Sequence, residues 1–151
     1  MIPPFNEHGE LPPGVHEATF AEFAERFGFS DRRRRLLAQL KPVLQVLKSA
    51  GVKWAYVDGS FVTTKKDPGD IDVAWVPGPG YDKSRLPRTF FDETGTLAGQ
   101  ADIPGLHVLP DLMEGVLATE LFCRVKGHPE RRKGMVLLGL QQNSLALPDP
   151  F

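Results

Sequence analysis

Leu36, Leu37, Leu40, Val43, Leu44 and Leu47 recur at helical spacing, and the segment they define runs straight into two short strand-like stretches. Ser30 or Asp31 caps the helix and Gly51 ends it. Trp54, Tyr56 and the β-branched Val57 make "KWAYVDG" a strand, and a turn-rich stretch leads to "DIDVAWV", a second strand closed by "PGPG". A long apolar stripe beside two strands suggests helices layered on a sheet. Pro42 lies inside the helix, where it removes one backbone hydrogen bond and predicts a kink or a split in two.

The rest of the chain fits the same plan. Residues 1–18 carry Pro3, Pro4, Pro12 and Pro13, which forbid a regular helix and favour an extended arm. Ile2, Phe5, Leu11 and Val15 predict that this arm packs along the body. "TFAEF" reads as a capping box, Thr19 with Glu22, opening a short helix whose face is Phe20, Phe23, Ala24 and Phe27 and whose stop is Gly28. Residues 77–105 show little pattern beyond one short helix around Ser84–Phe91. "LHVL" at 106–109 predicts a third strand, residues 111–126 a helix, and "KGMVLLGL" a buried strand. The order suggests one α+β domain over residues 1–151, a small mixed twisted sheet of about four strands with helices mainly on one face.

With 151 residues the chain suits one domain with a real core. Net charge is −1, so any nucleic-acid contact has to come from a local patch. The one cysteine, Cys123, excludes an internal disulfide and a Cys-rich zinc site, and fits a reducing compartment. "MIPPFNEHGELPPG" lacks the basic and apolar regions of a signal peptide, and no apolar run approaches the roughly 18 residues of a membrane span. The expectation is a cytoplasmic protein with no membrane partner.

Chemistry concentrates in "YVDGSFVTTKKDPGDIDVAW". Side chains alternate along a strand, so Asp70 and Asp72 share one side while Ile71 and Val73 point into the core. Two carboxylates about 7 Å apart along a strand can hold one hard cation, or two close together. Mg²⁺ suits oxygen ligands and keeps waters and substrate phosphates in its shell. Gly59 lets a backbone approach a phosphate, and the Ser60 hydroxyl and following amides can donate to phosphate oxygens. Thr63, Thr64, Lys65 and Lys66 add donors and positive charge. A metal site thus adjoins a candidate phosphate cradle. Asp-x-Asp alone also serves as a strand cap in small α+β modules, and a metal titration separates the two.

Gly-Ser, nine residues, then Asp-Ile-Asp is similar to the signature of the polymerase β-type nucleotidyltransferase superfamily, especially its minimal members. Together "LPPGVH", "DGSFVT" and "PGDIDV" resemble a family of small bacterial proteins assigned to that superfamily. The resemblance implies the fold, an NTP substrate and two Mg²⁺ ions, or Mn²⁺, on Asp70 and Asp72, with the Gly-Ser pair beneath the triphosphate. It implies transfer of NMP to an acceptor that is RNA, protein or a small molecule. Many minimal members are toxin-like or defence-associated, so an antitoxin or a second copy of the chain is the expected partner. A degenerate member would instead bind a nucleotide or partner protein without turnover.

The superfamily pattern also implies a third carboxylate on a neighbouring strand. In "GLHVLPD" alternation puts His107 on the face of Leu109, with Leu106 and Val108 opposite. His107 stands where the acid is expected, and Asp102 and Asp111 flank the strand, leaving His107 or Asp111 as the third ligand. Mn²⁺ tolerates a histidine nitrogen better than Mg²⁺ does. Two basic runs, "RRRR" at 32–35 and "KGHPERRKG" at 126–134, read either as solvated faces or as contacts to RNA or phosphate.

Overall fold

The computed structural model describes residues 2–98, 101–112, 123–125, 127–141 and 145. Its main element is a mixed six-stranded sheet in the order β1-β8-β2-β3-β5-β4. The strands are β1 (Val15–Ala18), β2 (Trp54–Asp58), β3 (Ile71–Val76), β4 (Ala101–Ile103), β5 (Leu106–Pro110) and β8 (Met135–Gly139). A separate two-stranded ribbon pairs β6 (Arg124–Val125) with β7 (His128–Arg132). The α+β class is as expected. The four strands legible in the sequence form the centre of the sheet, β8-β2-β3-β5, and β1 and β4 extend it at the edges.

Two helices cover one face. Helix α1 (Phe20–Phe27) opens on the capping box: Thr19 Oγ1 accepts from the Glu22 amide at 3.1 Å, and Glu22 Oε1 accepts from the Thr19 amide at 3.4 Å. Its Phe20, Phe23, Ala24 and Phe27 are buried. Helix α2 (Asp31–Ser49) is capped by Ser30 and remains a single helix through Pro42, so of the expected kink or split the split does not occur. Leu36, Leu37 and Leu40 before the proline, and Val43, Leu44 and Leu47 after it, are all buried, and that packing outweighs one missing backbone bond. At its end Gly51, with φ +85°, donates to Lys48 O while Val52 donates to Leu47 O, a Schellman closure that needs a glycine.

The helical stripes meet the sheet face carrying Ala55, Val57, Ile71, Val73, Trp75, Leu106, Val108, Val136 and Leu138, all buried. The opposite face carries a smaller cluster of Ala74, Cys123 and Met135, with Tyr56 and Leu109 beside it. The site residues lie on this second face.

The arm does pack along the body. Leu11 is fully buried, and Val15–Ala18 becomes β1, parallel to β8 from Val15↔Met135 to Ala18↔Leu138. The short helix expected around Ser84–Phe91 is instead two 3-10 turns, Lys83–Arg85 and Arg88–Phe90, divided where Pro87 cannot donate. Residues 113–122, the bulk of the helix expected over 111–126, lie outside the described residues. At its far end Arg124 and Val125 form strand β6, a correction, and Cys123 sits in the turn before it.

Candidate metal centre

Three neighbouring strands bring the site together. β2 and β3 run antiparallel with Asp58 opposite Asp72, and β3 and β5 run parallel with Asp72 beside His107. The three side chains therefore stand in a row across the sheet, Asp72 in the middle. Asp70 precedes β3 by one residue and projects to the same side.

His107 bridges the two expected carboxylates: its Nδ1 lies 2.9 Å from Asp72 Oδ1 and its Nε2 3.3 Å from Asp70 Oδ2. One ligand atom from each of Asp70, Asp72 and His107 falls within 4.8 Å of the others. Of the two candidates for third ligand, His107 joins the pair and Asp111 does not. Asp111 lies four residues further on, roughly 13 Å along the strand direction. It is fully buried near Tyr56, whose pKa is raised by burial and then by the Asp111 charge. Asp102 occupies the register position opposite His107 on β4.

Gly59 follows Asp58 and opens a 3-10 turn, Gly59–Val62. Its φ is +78°, and a Cβ there would collide with Asp72 Oδ2. Glycine is thus required twice, for its backbone angle and because Asp72 presses against the chain. Ser60 follows, half-buried. The Thr63 hydroxyl is engaged locally: it donates to Ser60 O at 2.6 Å and accepts from the Lys65 amide at 3.2 Å. The side chain of Lys65 is exposed. A cleft of about 280 Å³ lies between Gly69, Asp70, Gly105 and His107. A second, of about 590 Å³, runs along Arg32, Arg34, Arg35 and Lys66, and the two share Gly69.

One family model spans residues 3–138, from the arm through both helices to the next-to-last residue of β8. The chain belongs to DUF6932, a family of unknown function. No curated protein and no solved structure matches it.

Two residues of this DUF6932 member that carry the site were not legible as such. The first is Asp58. It is 5% exposed, its Oδ2 has no hydrogen-bond partner, and burial followed by the Asp72 charge pushes its pKa up to about 8, with Lys133 opposing. The Asp72 carboxyl is raised too, by burial first and then by Asp70, while His107 and Lys133 pull it down. In sequence Asp58 was only the last residue of a strand. Its one signal was a carboxylate at a β position facing Asp72.

The second is Arg33, the third residue of the α2 sequence. It is fully buried, stacks on Phe29 and Phe61, and donates to five carbonyls: Phe27, Ser60, Phe61, Thr63 and Lys65. Four of those carbonyls belong to the loop that follows Gly59. Burial lowers its pKa to about 10, still charged at neutral pH. The "RRRR" run is therefore not one solvated face. Arg33 holds the loop from beneath, Arg32 donates to Pro68 O and Gly69 O on the turn before Asp70, and Arg34 donates to Gly28 O.

In the second basic run of this DUF6932 chain, Arg131 donates to Glu10 Oε1 at 3.1 Å, tying the ribbon to the arm. The arm in turn reaches the Gly-Ser loop, where the Thr64 amide donates to Gly9 O at 2.9 Å.

Proposed function

We propose that this chain is a metal-dependent nucleotidyltransferase that moves NMP from an NTP to an acceptor, using Mg²⁺ or Mn²⁺. The observation that carries the proposal is the contact between the two motifs: Asp72 of the Asp-x-Asp pair packs directly on Gly59 of the Gly-Ser pair. A carboxylate pair able to hold a cation thereby adjoins a loop whose backbone can approach a phosphate. The donor set fits the cation, since carboxylate oxygens suit Mg²⁺ and one imidazole shifts the preference towards Mn²⁺.

Asp70 and Asp72 would hold the metal, and His107 Nε2 or Nδ1 would complete the set in its neutral form. When bound, the ion supplies the Lewis acidity that lowers the pKa of an acceptor hydroxyl and offsets charge on the departing pyrophosphate. Gly59 and Ser60 would seat the triphosphate on the platform that Arg33 braces. The Thr63 hydroxyl supports that loop from within, and the exposed Lys65 and Lys66 offer charge to phosphate oxygens. The cleft lined by Arg32, Arg34, Arg35 and Lys66 keeps an excess of positive charge over its two acids, Asp31 and Asp67, which favours a phosphate-bearing acceptor, RNA foremost, over a neutral one. An antitoxin or a second copy of the chain would complete the acceptor side.

A second reading has its own observation. With His107 bridging Asp70 and Asp72 at 3.3 and 2.9 Å, the carboxylates already have a partner. A nucleotidyltransferase fold that binds nucleotide or a partner without turnover would show the same bridge. The deciding experiment is transfer from radiolabelled NTPs to total RNA or lysate, with Mg²⁺ or Mn²⁺, alongside a thermal-shift titration. Metal-NTP should raise the melting temperature by several degrees in the wild type and by nothing in Asp70→Asn/Asp72→Asn. Label transfer supported better by Mn²⁺ than by Mg²⁺ is expected. Binding without transfer under every metal and NTP leaves the second reading, and no shift with any metal-NTP overturns both.

A further inference from the structure

Asp72 has two edges. Oδ1 faces His107 on the β5 side at 2.9 Å. Oδ2 lies over Gly59 on the β2 side, where Asp58 stands directly opposite in register. Cross-strand partners place their Cβ atoms about 5 Å apart, so the two carboxyl groups share one space. Asp58 is 5% exposed and its Oδ2 receives no hydrogen bond. A buried carboxyl oxygen without a donor, facing a second carboxylate, is costly unless positive charge enters between them. Lys133 is the cation that eases both groups, but it makes no ion pair with either among the described residues.

We propose that Asp58 is a further ligand of the metal centre, holding a cation against the Oδ2 edge of Asp72 on the side away from His107. The proposal rests on the metal-dependent reading above. It supplies from β2 the third carboxylate that β5 lacks, since His107 occupies the corresponding place there. It also puts the ion on the Gly59–Ser60 side, where a triphosphate would lie. Gly59 has no side chain to fill that space, and a Cβ there would fall on the Asp72 oxygen involved.

The test uses Mn²⁺ alone, without nucleotide, on the full chain. Free Mn²⁺ measured by electron paramagnetic resonance should show affinity falling at least tenfold in Asp58→Asn, and by less in His107→Ala. Crystals soaked in MnCl₂ should give an anomalous peak within coordination distance of both Asp58 and Asp72, a readout that does not depend on any variant folding. A peak held by Asp70, Asp72 and His107 alone, or unchanged affinity in Asp58→Asn, overturns the proposal while leaving the metal-dependent function intact. A wild-type chain that binds no Mn²⁺ overturns both.

Discussion

Replacing Asp58 with asparagine, in protein stripped of metal by a chelator, should raise stability at alkaline pH and change it little in acid. In the folded chain the Asp58 carboxyl is pushed up to about 8, against 3.8 for an ordinary aspartate. An acid whose folded pKa is raised stabilises the fold fully below the unfolded value, and that contribution is lost as pH rises through the folded value. Between pH 4 and 8 the unfolded chain has released this proton and the folded chain has not. The loss is therefore about 1.4 kcal/mol per pH unit over about 4 units, or roughly 6 kcal/mol above pH 8. The asparagine side chain has no proton to release, and its amide can donate to Asp72. Allowing half of the full figure, the variant should gain about 3 kcal/mol at pH 9 and nearly nothing at pH 4.5. With a urea dependence of about 2 kcal/mol per M, the unfolding midpoint should move up by roughly 1.5 M at pH 9. Urea titrations at pH 4.5, 7 and 9 in EDTA measure this. Wild-type and variant midpoints that run parallel across all three pH values would mean that Asp58 does not hold a proton against Asp72.

Two further perturbations probe the platform. Gly59→Ala forces a side chain into φ +78° and onto Asp72 Oδ2, so it should cost about 2 kcal/mol or more and abolish the metal-NTP thermal shift; a variant as stable as wild type by urea unfolding would contradict the packing described. Arg33→Met leaves carbonyls of Phe27, Phe61, Thr63 and Lys65 without their donor, at about 1–3 kcal/mol for each buried acceptor left unmet, so unfolding free energy should fall by at least roughly 3 kcal/mol, with Arg33→Lys recovering only part.

The elements with strong periodicity were legible. The leucine stripe of α2, the capping box of α1 and the apolar runs of β2, β3, β5 and β8 each carry their own signal, and each lies where that signal puts it. The elements that escaped have none. β6 and β7 are "RV" and "HPERR", with no alternation of apolar and polar residues, and β1 and β4 are short edges specified by their neighbours. Within the site, Asp70, Asp72, Gly59 and Ser60 were visible as a spaced motif, and alternation alone put His107 on the right face. Asp58 and Arg33 were hidden because their roles depend on burial. A carboxylate at a strand end and one arginine among four look alike whether solvated or enclosed. Only the register of β2 against β3, and the loop folded over Arg33, make them different from their neighbours.

The pairing of β1 with β8 has a consequence in time. Val15 leaves the ribosome 120 residues before its partner Met135, and at about 5–20 residues per second that is a wait of roughly 6 to 24 seconds. Once β2 and β3 have both emerged, β2 has only β3 beside it until Met135–Gly139 follows, because its other neighbour is also β8. The nascent sheet therefore carries an open edge at Trp54–Val57, bearing Trp54 and Tyr56, next to an arm that has nothing to pair with. One strand, made late, closes both gaps at once.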